Sequence, residues 1–257
     1  MKKIVIAGAI AAMASLSSVA AAAAPGAFKL TTGFDYSSGK YGGSQSTDML
    51  YIPITGHYET GRWLFKLTVP YLRVTGPGNV VRGVGTLKTT TTTRTTESGL
   101  GDVVAGATYN VYAGTGAKPL FVDLTGKVKF GTADETKGLG TGKNDYAFQV
   151  DLYQSLGKFT PFGTIGYDVL GSPAGSTLNN VFYGSLGGTY KLAPKTSGGL
   201  LFSARQKASV TGAPQRDIMA FVTHKLDNRW KTQVYVDKGY ADGSPDWEGG
   251  ATISYAF

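Results

Sequence analysis

Alternation with a period of two runs through this chain and is cleanest at its C-terminus. From Trp247 the odd positions are Trp247, Gly249, Ala251, Ile253, Tyr255 and Phe257, while the even ones are Glu248, Gly250, Thr252, Ser254 and Ala256. On a strand these two sets face opposite ways, giving one oily face with aromatic ends and one small, polar face. A soluble sheet has to cover the oily face, whereas lipid meets it directly. Ten residue steps at about 3.3 Å, tilted by about 40°, rise roughly 25 Å, the height of the apolar band around an outer-membrane barrel. Trp247 and Phe257 then fall at opposite membrane interfaces.

The same division recurs upstream. Residues 28–37 set Phe28, Leu30, Phe34 and Tyr36 against Lys29, Thr31 and Asp35, and 63–71 set Trp63, Phe65, Leu67, Val69 and Tyr71 against Lys66, Thr68 and Pro70. In 120–130 every charge (Asp123, Lys127, Lys129) lies on the face opposite Leu120, Val122, Leu124, Val128 and Phe130. Runs at 49–58, 102–111, 148–156, 164–169, 182–192, 200–207, 217–225 and 231–237 follow with more noise, Phe221 falling on the charged face. With the terminal run the count is about twelve, an even number as bacterial single-chain barrels use.

Connections alternate as well. Short turns lie near 59–61, 113–117, 157–158, 193–195 and 227–228, and longer loops at about 38–46, 75–98, 131–144, 171–179, 208–215 and 239–245. Twelve strands with both termini in the periplasm require this sorting. The pattern predicts a single all-β domain over residues 23–257, a transmembrane antiparallel up-and-down β-barrel. The longest loop carries a threonine tract from Lys88 to Thr96 and reads as a solvated surface loop, its hairpin extending beyond the membrane.

Composition adds the compartment. Residues 1–22 read as a cleaved export signal: Lys2 and Lys3, an apolar run over 4–14 too short to span a bilayer, then alanine-rich A-x-A sites. Loss of Lys2 and Lys3 lowers the net charge from +8 to +6, and the remaining excess is scattered, unlike a nucleic-acid footprint. Cysteine is absent, which removes disulfide and thiol chemistry, and no metal-ligand spacing is present. The expected location is the outer membrane of a Gram-negative bacterium, with no cofactor and no nucleic-acid partner.

The interior face carries both signs of charge: Lys29, Lys66, Lys127, Lys129, Lys191, Arg205, Lys207, Lys225 and Lys231 against Asp35, Asp102, Asp123, Asp151, Asp168, Asp237 and Glu248. Such groups either set ion preference or pair and plug the barrel. Tyr51, Phe121, Tyr153, Phe162, Tyr183, Phe221 and Tyr235 also face inward, as contacts for an aromatic solute or as packing. The candidate solute-lining set is Lys66, Asp102, Asp123, Lys127, Lys129, Asp151, Asp168, Arg205, Tyr51, Tyr153 and Tyr183. Trp63, Tyr71, Trp247, Tyr255 and Phe257 are the candidate interface aromatics, in contact with outer-membrane lipid.

Two alternatives stand beside a channel. A lipid-modifying hydrolase needs a histidine base beside a nucleophile near the longer loops, but His57 and His224 both fall near short turns. A filled structural or adhesion barrel needs no lumen at all. The glycine-rich Gly138-Leu139-Gly140-Thr141-Gly142 has no helix or Walker residues after it and reads as a turn.

Four segments carry a family likeness: Ser98-Gly99-Leu100-Gly101-Asp102, Lys129-Phe130-Gly131-Thr132, residues 138–146, and Gly166-Tyr167-Asp168-Val169-Leu170-Gly171. With these the chain resembles the outer-membrane family named for the meta-pathway of phenol degradation and often labelled simply a transporter. The resemblance implies a channel-type barrel, no catalytic residues, and a solute class of small molecules that extends to aromatic or apolar ones. The terminal Tyr255-Ala256-Phe257 also looks like the signal read by the outer-membrane assembly machinery, through Phe257.

Overall fold

A computed structural model describes residues 26–78, 80–87 and 93–257. The export segment over 1–22 lies outside the described residues, as do Lys88 to Thr92 of the threonine tract. Fifteen strands follow in order: β1 (Ala27–Gly39), β2 (Thr47–Thr60), β3 (Trp63–Gly76), β4 (Val80–Val81), β5 (Gly85–Thr86), β6 (Thr95–Leu100), β7 (Val104–Ala113), β8 (Leu120–Lys129), β9 (Asp145–Gln154), β10 (Phe159–Val169), β11 (Val181–Ala193), β12 (Thr196–Arg205), β13 (Gln215–Lys225), β14 (Trp230–Gly239) and β15 (Trp247–Ala256). All but β4 and β5 join one antiparallel sheet. It closes where β1 meets β15, in register from Lys29 opposite Ala256 to Ser38 opposite Trp247. Closure leaves no open edge.

Strands β6 and β7 both pair with β3 and form one interrupted barrel strand, so the closed barrel has twelve. Pro70 accounts for the break. Its carbonyl accepts from Gly101 N at 2.9 Å, so its missing N–H faces the same strand and the ladder lapses over 101–103. A second lapse lies on the other side of this strand pair. Between the Thr32–Ile54 and Asp35–Tyr51 pairs the β1–β2 ladder skips Pro53, whose carbonyl is met by Thr32 Oγ1 at 2.9 Å.

Residues of the two faces part as the alternation requires. Phe34, Leu67, Phe148, Ile165, Leu186 and Leu200 are exposed on the outside, Leu186 at 68 %. The seven inward aromatics are all buried. Several lie flat against the wall over a glycine of the next strand. A Cβ on Gly166 would stand 2.2 Å from Tyr183 Cζ, and one on Gly187 would stand 2.6 Å from Phe162 Cζ. Glycine thus keeps wide rings out of the bore.

The longest loop departs from the sequence reading in one part. The β3–β6 hairpin pairs as far as Gly76 opposite Thr95, and the described end of the threonine tract, Thr93 to Thr96, is exposed, but the stretch before the tract turns inward. Residues 80–86 form a small hairpin whose Val80, Val81, Val84 and Thr86 are all buried. Val81 and Val84 pack with Leu178, Val181 and Ala208, and Val80 packs with Tyr41, Met49, Tyr51 and Leu139. Four valine-sized side chains in a loop are more stable inside the barrel mouth than in water.

Candidate functional site: a lumen narrowed by an inward hairpin

The β4–β5 hairpin is tied to the wall by charge and by hydrogen bonds. Arg82, at its turn, forms an ion pair with Asp35 on β1 at 2.9 Å and lies 4.3 Å above the Tyr51 ring of β2. Tyr235 on β14 donates its hydroxyl to the same Asp35. Burial opposes the Arg82 charge, but Asp35 and Glu248 outweigh it and raise its pKa above the ordinary arginine value. Thr86 Oγ1 donates to Tyr41 O at 2.7 Å, and Ser209 Oγ donates to Thr86 O at 2.8 Å. Loops 40–46 and 206–214 therefore hold the hairpin down.

A second long loop leans in beside it. Asp102, in the break between β6 and β7, accepts from Ala133 N at 2.9 Å and pairs with Lys129 at 3.0 Å. Lys129 also pairs with Asp145 at 2.7 Å. This anchoring places Ala133 and Leu139 among the buried residues around Tyr51 and Val80. Gly138 takes φ +69° to close the single 3-10 turn Glu135–Lys137 that starts the bend.

Two cavities of about 190 Å3 each lie beside the hairpin, sharing Tyr51, Arg82, Gly83, Val104 and Lys127 as walls. The main cavity runs past Arg82 toward the short-turn end, where Thr31, Thr55, His57 and Lys66 line it. The side cavity lies behind the hairpin against β7–β12.

The sequence-derived candidates divide between them. Lys66 and Asp151 line the main cavity, Tyr51 and Lys127 line both, and Asp102, Lys129, Asp168, Tyr183 and Arg205 line the side cavity. Asp123 and Tyr153 line neither: Tyr153 donates to Asp123 at 3.1 Å, and Asn110 donates to it as well. Arg205 pairs with Asp168 at 3.0 Å. Asp151 is met by neutral donors, Thr164 at 2.6 Å and Gln149 at 2.7 Å. Lys191 is exposed at the short-turn rim and takes no part in the lumen.

Trp63, Tyr71, Trp247 and Phe257 are exposed on the outer face. Tyr255 packs between Trp230, tilted at 4.7 Å, and Phe257, edge-on at 4.9 Å. Trp230 belongs to the same short-turn girdle, together with Trp63 and its neighbour Tyr109 at 4.8 Å.

Sequence reasoning missed Arg82 and its hairpin. Its one signal was a valine pair, Val80-Val81, in a loop otherwise rich in glycine and threonine. His57, three residues before the end of β2 at a short turn, points inward and is 3 % exposed. His224 is exposed, with Nδ1 2.9 Å from Thr196 Oγ1. Neither histidine meets a serine or a carboxylate among the described residues.

A closed even-stranded barrel with an oily wall and a polar, loop-narrowed bore has the architecture of an outer-membrane channel. The chain belongs to the family described as "Putative MetA-pathway of phenol degradation", whose model matches residues 21–257. Its fold is similar to that of an outer-membrane channel from Pseudomonas putida F1, at 14% identity and a TM-score of 0.71, covering 92% of this chain and 97% of that one. The NanC porin is similar at 10% identity and a TM-score of 0.54, covering 89% and 98%. No curated protein sequence matches the chain.

Proposed function

We propose that this protein is an outer-membrane channel that passes small solutes, including small aromatic ones, without covalent chemistry. The observation that carries this reading is the main cavity, which runs inside the barrel from beside Arg82 to His57 and Lys66. An apolar cavity of about 150 Å3 holds one benzene ring, so a bore of about 190 Å3 is matched to single-ring solutes. Tyr51, Phe162, Phe221 and Tyr235 line this cavity and offer such a solute contact along the wall. Residues 1–22 direct export and are removed near Ala22, and Phe257 presents the C-terminal strand to the assembly machinery.

Efflux from liposomes tests transport. Benzenesulfonate, which stays charged and crosses lipid slowly, is expected to leave protein-containing liposomes faster than empty ones. A larger solute such as a trisaccharide is retained. Equal efflux from both kinds of liposome, with folded protein present, rejects the channel reading.

A further inference from the structure

Strand register sets basic side chains in a row at the short-turn half of the lumen. Lys29 on β1 is the Cα partner of His57 on β2, and His57 is the partner of Lys66 on β3. The row continues through Gly106 on β7 to Lys127 on β8. Gly106 contributes no side chain, and Lys127 Cγ lies 3.5 Å from where its Cβ would stand. Lys231 on β14 adds another positive charge acting on His57. Glu59 and Asp151 act on Lys66 from a distance, but among the described residues no carboxylate lies within ion-pair reach of it.

His57 is the informative member. It is 3 % exposed, lines the main cavity, and neither ring nitrogen has a hydrogen-bond partner. Buried polar atoms in folded proteins are nearly always met, so an unmet pair facing a cavity marks a place that a ligand or water completes. The other wall of the same cavity is different in kind: Phe162 on β10, Leu201 on β12 and Phe221 on β13 are buried and packed together. In the circular strand order these lie across the bore from β1–β3. One side carries Lys66 and His57 and the other this apolar cluster, while Asp217 and Asp237 line the same cavity nearer the long loops.

We propose that the short-turn half of the main cavity is a binding site for a small organic carboxylate, a single ring or short chain bearing one carboxylate. Lys66 and the His57 N–H hold the carboxylate through charge-assisted hydrogen bonds, and Phe162, Leu201 and Phe221 hold the apolar body. A neutral solute leaves the Lys66 charge without a counter-ion. A multiply charged anion meets Glu59 and Asp151 and has no use for the oily wall. The inference rests on the channel reading only for what it says of the solute class, since binding is measured apart from transport.

Calorimetric titration of the refolded full chain in detergent, with benzoate and with benzyl alcohol as probes, tests it. Benzoate is expected to bind at least tenfold more tightly than benzyl alcohol. Lys66→Met and His57→Phe each weaken benzoate at least tenfold, Lys66→Arg keeps it, and Lys191→Met on the exposed rim leaves it unchanged. Folding of each variant is read from its heat-dependent shift on a gel. Equal binding of the two probes, no benzoate binding, or an equal loss in Lys191→Met and Lys66→Met overturns the site. Efflux with no benzoate preference rejects the site and keeps the channel, and benzoate binding without efflux does the reverse.

Discussion

Arg82 lies 2.9 Å from Asp35 and 4.3 Å above the Tyr51 ring, so one side chain fastens the inward hairpin to two adjacent barrel strands. Asp35 is only 1 % exposed. Removing one member of a buried pair leaves the other charge uncompensated and costs about 3 kcal/mol or more. Arg82→Ala is therefore expected to loosen the hairpin without unfolding the barrel, whose ladder does not include residues 80–86. Amide exchange at Val81 and Val84 should quicken about 100-fold, the equivalent of about 2.8 kcal/mol in local opening. Unchanged exchange at both positions contradicts the latch.

The face assignment has its own test. Leu186 is 68 % exposed in the middle of β11, and its neighbour Ser185 points to the lumen side. An arginine at lipid-facing mid-depth costs about 2–4 kcal/mol. Leu186→Arg should lower stability in lipid-refolded protein by that amount, while Ser185→Lys should cost much less. Equal losses in urea titration would mean that the wall is not turned as described.

Ring packing over glycine predicts a narrowing mutation. The three atoms nearest a Cβ on Gly166 all belong to Tyr183, the closest at 2.2 Å. Gly166→Ala thus has to lift that ring off the wall and break its 2.9 Å bond to Gln149. Overpacking of this kind costs about 1–3 kcal/mol. Tyr183 lines the side cavity, so solute efflux is expected to slow even where the barrel still folds; faster efflux would show that the ring moves elsewhere.

Tryptophan reports the depth of the barrel in the bilayer. The chain has three, Trp63, Trp230 and Trp247, all exposed on the outer face at strand ends. Their amphipathic rings belong at the headgroup level. Lipids brominated near the headgroup should quench their fluorescence more than lipids brominated at the chain end. The opposite order would displace the apolar band.

Much of this was legible in the sequence, and the division has a physical cause. Alternation over ten residues reports which face meets lipid, so the charged positions 123 and 127 and the seven inward aromatics could be assigned from local pattern alone. The terminal strand showed its interfaces directly, through Trp247 and Phe257. The hairpin at 80–86 could not be read this way. It has two residues per strand, too few for a period, and it is held by Asp35, Tyr41 and Ser209, which are remote in sequence. The basic row required register: Lys29, His57 and Lys66 become neighbours only when strands β1 to β3 are aligned residue by residue. Alternation supplies the face but not that alignment.

Current across a planar bilayer addresses the central claim, a solute-sized bore restrained by Arg82. Native protein is expected to give discrete single-channel steps, and Arg82→Ala larger ones from the same folded barrel. Silent bilayers with both proteins, or steps of the same size from each, would contradict it.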